Sequence, residues 1–218
     1  YWLMKKAILL VVSLSIIAAG CANMNRQQKG AIGGAGAGAV AGALVSNSIW
    51  GVLIGAAIGG TAGSLIGKHM DEQAKELEQA VPTAEVQRVG EGINMTFASG
   101  LMFPINSATL SDGYKDDLSA AAAVFAKYPD TNILVEGHTD DTGTEQINMD
   151  LSQRRAKTVS DFLVANGVSR SRLQTKAYGQ AMPKYPNDSE ANRSKNRRVE
   201  LAVYANDDMK ASAQAGNL

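Results

Sequence analysis

The chain has 218 residues, 45% hydrophobic and 19% charged, a globular composition that excludes a disordered or fibrous protein. Its 21 basic and 21 acidic residues cancel, so it has no basic surplus of the kind that holds nucleic acid. The single cysteine, Cys21, excludes an intramolecular disulfide.

Residues 1–20 read as a signal peptide: Lys5 and Lys6 make a basic start, and the uncharged run from Ala7 to Gly20 ends in small residues. Met4 fits the initiator, with Tyr1 to Leu3 upstream of it. The stretch Ala18-Ala19-Gly20-Cys21 resembles the lipobox of bacterial lipoproteins, with Ala18 where leucine is common. That resemblance implies acylation of Cys21 as the first residue of the mature chain, followed by a lipidated linker over 21–29. Two or three acyl chains would hold the protein to a membrane, since each buried methylene contributes about 0.8 kcal/mol and one chain alone binds marginally. A free thiol beside a cleavage site is the alternative. Ala22, in place of an aspartate, implies the outer membrane by the same resemblance. Removing the signal takes two of the 21 basic residues and none of the 21 acidic ones, which moves the balance slightly negative and further from nucleic acid.

Glycines recur every fourth residue at Gly30, Gly34, Gly38 and Gly42, and again from Gly51 to Gly67. On a helix this spacing clears one face of side chains and lets a second helix approach closely. Residues 30–67 are therefore expected to form a glycine-zipper helical hairpin, turned by Ser46 to Trp50, that packs on itself, on other copies as a homo-oligomer, or against the membrane. A flexible Gly/Ala linker is the other reading. Residues 68–83 read as a solvated helical spacer, with Asp71 and Lys75 paired at i,i+4 and Pro82 as its stop.

From residue 84 the pattern changes to that of a mixed α/β domain extending to 205. Ile93, Met95 and Phe97 alternate as in a strand, Leu110 to Tyr128 reads as a helix ended by Pro129, and 132–138 reads as a strand. A helix from Ile147 to Asn166, closed by Gly167, then precedes strands over 172–178 and 197–204. This βαβαβ-type order predicts a mixed sheet covered by helices, of the α/β (α+β) class. The polar stretch 206–218 is expected to be a disordered tail.

The segment Gly137 to Ala156 carries the chemistry. At about 100° per residue, Leu151, Val159, Phe162 and Leu163 share one face of the helix with Ile147, and Arg155 falls near the middle of that face. Asn148 falls beside it. A guanidinium there needs a partner, because a buried charge left alone costs roughly 3–5 kcal/mol. Asp140, at the carboxyl end of the preceding strand, is the natural one. Two readings stay open: an internal Asp140–Arg155 salt bridge, or a pair held apart to clamp a zwitterionic ligand. His138 with Asp140 and Asp141 is a weak metal signal, and no metal or cofactor is expected. Strand parity puts His138 with Leu134 and Glu136, in a half-exposed structural role.

The run from Gly137 to Val168, with Met102 to Leu110 before it and Asn196 to Leu201 after it, closely resembles the OmpA-like peptidoglycan-binding domain, over roughly residues 90 to 204. With the zipper and lipobox, the whole chain resembles YiaD-type outer-membrane lipoproteins. The resemblance implies a non-enzymatic protein that grips peptidoglycan from the outer membrane, its domain facing the periplasm. It implies that Asp140 and Arg155 clamp the amine and carboxylate of diaminopimelate in the stem peptide, assisted by Asn148, Asn106 and Arg197. Pro104 stands where an acid is usual after Phe103. The competing readings are a cell-wall hydrolase and a zipper-driven assembly protein with no clamp.

Overall fold

The computed structural model describes residues 60–98, 102–104 and 106–218. Cys21 and the zipper from 30 to 59 lie outside them. The elements in chain order are α1 (Gly60–Ala80), β1 (Glu85–Val89), β2 (Gly92–Ala98), α2 (Asp112–Lys127), β3 (Thr131–His138), α3 (Glu145–Ala165), β4 (Leu173–Gly179), α4 (Glu190–Asn196), β5 (Arg198–Ala205) and α5 (Asp207–Gln214). A single 3-10 turn, Arg170–Arg172, leads into β4.

The strands form one mixed sheet in the order β1-β2-β5-β3-β4. β3 and β4 run parallel, joined through α3 as a β-α-β crossover requires, while β5 inserts antiparallel between β2 and β3. The mixed α/β sheet expected from the sequence is present. β1 was not anticipated. It pairs with β2 through a two-residue turn whose first residue, Gly90, takes a φ of 59°, a conformation that favours glycine.

Alternation along the strands decides where the core lies. Ile93, Met95 and Phe97 on β2, Ile133 and Val135 on β3, and Val199, Leu201 and Val203 on β5 are all fully buried, and they pack with the helices in one cluster. Arg172 closes this layer at the end of α2. Its guanidinium donates to the carbonyls of Phe125 at 2.9 Å, Tyr128 at 2.8 Å and Thr131 at 2.6 Å, satisfying acceptors that a helix end leaves open.

Two segments depart from the sequence reading. The solvated spacer over 68–83 is instead most of α1, whose Ile66, Met70 and Leu77 are fully buried in the common core. Its charges occupy the outer face, where Glu76 accepts from Lys127 at 2.7 Å and Tyr128 at 3.0 Å, and Asp71 accepts from Arg88 at 2.7 Å. Beneath them the apolar residues keep a helical spacing that the charges obscure in the sequence. The tail over 206–218 is not disordered either. Asn206 caps α5 by accepting from the Met209 amide at 2.9 Å, and Met209 and Ala213, one turn apart, are buried with α1. Among the described residues no helix is long and apolar enough to cross a membrane.

A core role for α1 gives a direct expectation. Leu77→Ala should lower unfolding stability by roughly 2–5 kcal/mol, whereas Glu78→Ala on the exposed face should change it by no more than about 0.5 kcal/mol. Chemical denaturation of both variants checks this, and equal, negligible effects would restore the solvated spacer.

Candidate functional site

The site is assembled where α3 meets the carboxyl ends of β3 and β4, the end at which α/β sheets gather loops. α3 sits unusually close to these strands. A Cβ at Gly137 would lie 2.1 Å from the Ser152 carbonyl oxygen, and one at Gly179, whose φ is 52°, would lie 3.0 Å from the Met149 amide. Glycine at both positions lets the helix backbone rest on the strands, and Ser152 Oγ accepts from the Gly179 amide at 3.0 Å. The loop between β3 and α3 turns at Gly143, with a φ of 102°, and Thr144 caps the helix by accepting from Ile147 N at 3.3 Å.

This seating brings the five residues singled out in the sequence to one place. Asn106, Asp140, Asn148, Arg155 and Arg197 all line a cleft of about 410 Å³, together with Phe103, Thr139, Thr142, Leu151 and Glu190. Asp140, Asn148 and Arg155 are each no more than 5% exposed, while Asn106 is exposed. Asn106 takes a φ of 55°, left-handed for a residue other than glycine, and forms a corner of the cleft wall. Cys21 lies outside the described residues.

The charges are held by definite partners. Asp140 Oδ2 accepts from Arg197 Nη1 at 2.5 Å, and its Oδ1 accepts from the Thr142 amide at 2.9 Å. Arg197 also donates to Glu190 at 2.6 Å. One of the two readings left open by the sequence paired Asp140 with Arg155; the ion pair instead recruits Arg197, the residue between α4 and β5. Arg155 donates through Nε to the Ser107 carbonyl at 3.0 Å and stacks its guanidinium 5.1 Å from the centre of the Phe103 ring. Asn148 donates to the Asp140 carbonyl at 3.2 Å and to Gln180 at 2.6 Å, which ties the helix to both strand ends.

Burial pulls the Arg155 guanidinium down to about 10; nearby Arg197 adds to this and Asp140 opposes it. Arg155 therefore stays charged at neutral pH. Burial alone would lower Arg197 too, but its bonds to Asp140 and Glu190 outweigh that and raise it. The cleft thus holds two cations, two carboxylates and the Thr139 hydroxyl, which is buried without a hydrogen-bond partner among the described residues.

Ile147, counted with the apolar stripe, is 57% exposed, so the buried face of α3 starts at Asn148 and Leu151. The helix's first turn projects past the sheet. Glu190 and Thr139 were missed as site residues. Glu190 had one signal, its place after the capping serine Ser189 and seven residues before Arg197, which α4 converts into an ion pair.

His138 is not half-exposed but fully buried, outside the cleft. It stacks on Tyr178 with ring centres 5.1 Å apart and lies 3.8 Å from Glu136 Oε2. Among the described residues, Glu136, His138 and Glu200 bring potential metal-binding atoms within 4.8 Å of one another. The two carboxylates are already engaged, Glu136 accepting from Tyr178 at 3.0 Å and Glu200 from Arg198, whose guanidinium would repel a divalent ion; among the described residues neither ring nitrogen of His138 has a hydrogen-bond partner. The chemistry is that of a buried polar network that knits β3, β4 and β5 beneath the site.

A model of the OmpA family matches residues 102–197, and a model of the YMGG-like Gly-zipper matches residues 4–71. The chain carries an OmpA-family domain. It is 35% identical over 140 residues to the probable lipoprotein YiaD of Escherichia coli strain K12, covering 63% of this chain and 64% of that protein. It is 34% identical over 104 residues to the peptidoglycan-associated lipoprotein of Legionella pneumophila, covering 48% and 59% respectively. The chain thus spans less than two thirds of the length of these relatives. Among solved structures, the cell wall anchor of the T6SS from Pseudomonas aeruginosa superposes with a TM-score of 0.55 at 26% identity, over 63% of this chain and 97% of that one. The OmpA match begins at the Phe103 loop and ends at Arg197, so it encloses all five candidate residues of the cleft.

The buried imidazole sets a pH dependence. Burial, and then the Arg198 charge, hold His138 well below the usual histidine range, with Glu136, Glu200 and Tyr178 as its other neighbours. The unfolded chain takes up this proton near pH 6.5 and the folded protein does not, so its contribution is complete above about pH 6.5 and declines below, by up to about 1.4 kcal/mol per pH unit. Urea unfolding at pH 7 and pH 5 should show a larger loss in wild type than in His138→Gln; equal losses would contradict this.

Proposed function

We propose that this protein binds peptidoglycan non-covalently and without cleaving it, and that the cleft between Asp140 and Arg155 takes the free amine and carboxylate of diaminopimelate in the stem peptide. The observation that carries this reading is a pair of opposite charges, each nearly buried, lining one open cleft of about 410 Å³. A purely internal salt bridge would require no such opening. Asp140 presents carboxylate oxygens to an ammonium, and Arg155, propped by Phe103 and Ser107, presents a planar fork to a carboxylate. Asn148, Asn106 and Arg197 complete the walls, and the unpartnered Thr139 hydroxyl offers a further bond.

The names of the relatives support the same reading, because they include peptidoglycan-associated lipoproteins and a cell wall anchor. His138, the one histidine near these acids in sequence, is sealed inside the sheet network and does not line the cleft, which favours binding over hydrolysis. With Cys21 acylated, the protein would hold the outer membrane to the wall. The zipper residues before α1, 30–59, would pack on themselves or on other copies, since 60–67 belong to α1, whose Ala62 and Ile66 are buried in the domain core. Mass spectrometry of the mature N-terminus reads the acylation directly.

Co-sedimentation of the full chain with purified sacculi tests the clamp. Wild type should pellet, whereas Asp140→Asn and Arg155→Lys, after a check that each folds, should bind about tenfold more weakly or worse, lysine because it lacks the fork. Binding should also weaken as salt is raised. If Arg155→Lys pellets like wild type, the bidentate contact is wrong; release of soluble fragments from the sacculi would instead indicate a hydrolase.

A further inference from the structure

A second groove, of about 540 Å³, opens on the other side of the loop that bears Asn106. It is lined by Asn106, Ser107, Thr109, Arg154, Lys157, Thr158 and Asp161, and it shares Asn106 with the clamp cleft. Consecutive arginines on α3 thus serve different sides of one loop. Arg155 reaches the clamp and fixes the loop through the Ser107 carbonyl at 3.0 Å, while the half-exposed Arg154 faces the second groove. Asn106 is the saddle between them.

The groove carries a positive surplus. Asp161, its only acid, accepts from Lys157 at 2.5 Å and from Arg170 at 2.7 Å, and both bonds hold its carboxyl below the ordinary range. Arg170 shares Asp161 with Lys157, and Arg154 pairs at 3.0 Å with Asp150, which like Arg170 lies outside the groove, so three cations face two acids and one positive charge is left over for an anion. Around them the hydroxyls of Ser107, Thr109 and Thr158 supply neutral donors.

Resting on the clamp reading above, we infer that this groove is a second subsite that takes the terminal carboxylate of the peptide continuing from the clamped diamino acid. A ligand seated between Asp140 and Arg155 and extending past Asn106 enters a groove whose charge and hydroxyls suit a carboxylate. The two subsites together would distinguish a peptide with a free C-terminus from the isolated diamino acid.

Isothermal titration of the full chain with three ligands tests this: free diaminopimelate, a diaminopimelate-containing tetrapeptide with a free C-terminal carboxylate, and the same peptide amidated there. Wild type should bind the free acid about fivefold to tenfold more tightly than the amide, the effect expected of two exposed charge contacts. In the Arg154→Gln/Lys157→Gln double variant the two peptides should bind alike, with affinity for free diaminopimelate unchanged. Equal binding of acid and amide by wild type, or a preference that survives in the double variant, overturns the subsite and leaves the clamp standing. If wild type binds none of the three, the clamp reading fails and the subsite falls with it.

Discussion

The close seat of α3 on β3 and β4 is the constraint on which the rest depends. Gly137 and Gly179 remove the two Cβ atoms that would hold the helix off the sheet. Only with the helix that low does Arg155 lie in the wall of a cleft while still reaching the Ser107 carbonyl, and only then does Asn148 span from the Asp140 carbonyl to Gln180. A helix shifted outward by the usual side-chain thickness would release these bonds together. The glycines therefore belong to the site as much as the charged residues do, although neither contacts the cleft.

Below that seat, the charges are arranged in two tiers. The upper tier, Asp140, Arg197 and Glu190, is an ion-pair chain open to the cleft. The lower tier, Glu136, His138, Arg198 and Glu200 with Tyr178, is closed off from solvent and ties three strands together. Arg197 and Arg198 are adjacent in sequence and serve opposite tiers, as the alternation of a strand allows. Buried charge of this kind is tolerable because the partners are fixed by the sheet and do not have to be ordered anew. On the face of the sheet opposite the lower tier, α1 packs into the core through Ala62, Ile66, Met70 and Leu77.

Much of this was legible in the sequence. Alternating residues on β2, β3 and β5 and the periodicity of α3 placed the core, and one guanidinium in the middle of an apolar face marked Arg155. What was not legible depended on long-range contacts. Asp140 could be matched to a cation, but which cation depends on β5 lying beside β3, so the choice of Arg197 appears only in the fold. Charges along 68–80 masked the buried Met70, Ala74 and Leu77, and a polar tail hid the pair Met209 and Ala213; each was read by composition when spacing was the stronger signal. Ile147 failed in the opposite sense, since periodicity extends a stripe past the point where the sheet ends.

A cleft that sets Asp140 against Arg155 should recognise a zwitterion, not charge in general. Competition for the full chain bound to sacculi measures this most directly, using diaminopimelate, pimelate with its carboxylates alone, and 1,5-diaminopentane with its amines alone. Release by diaminopimelate, with little or none by the other two at equal ionic strength, is the outcome expected of a site that pairs Asp140 with an ammonium and Arg155 with a carboxylate. Equal release by all three, or by none, would contradict it.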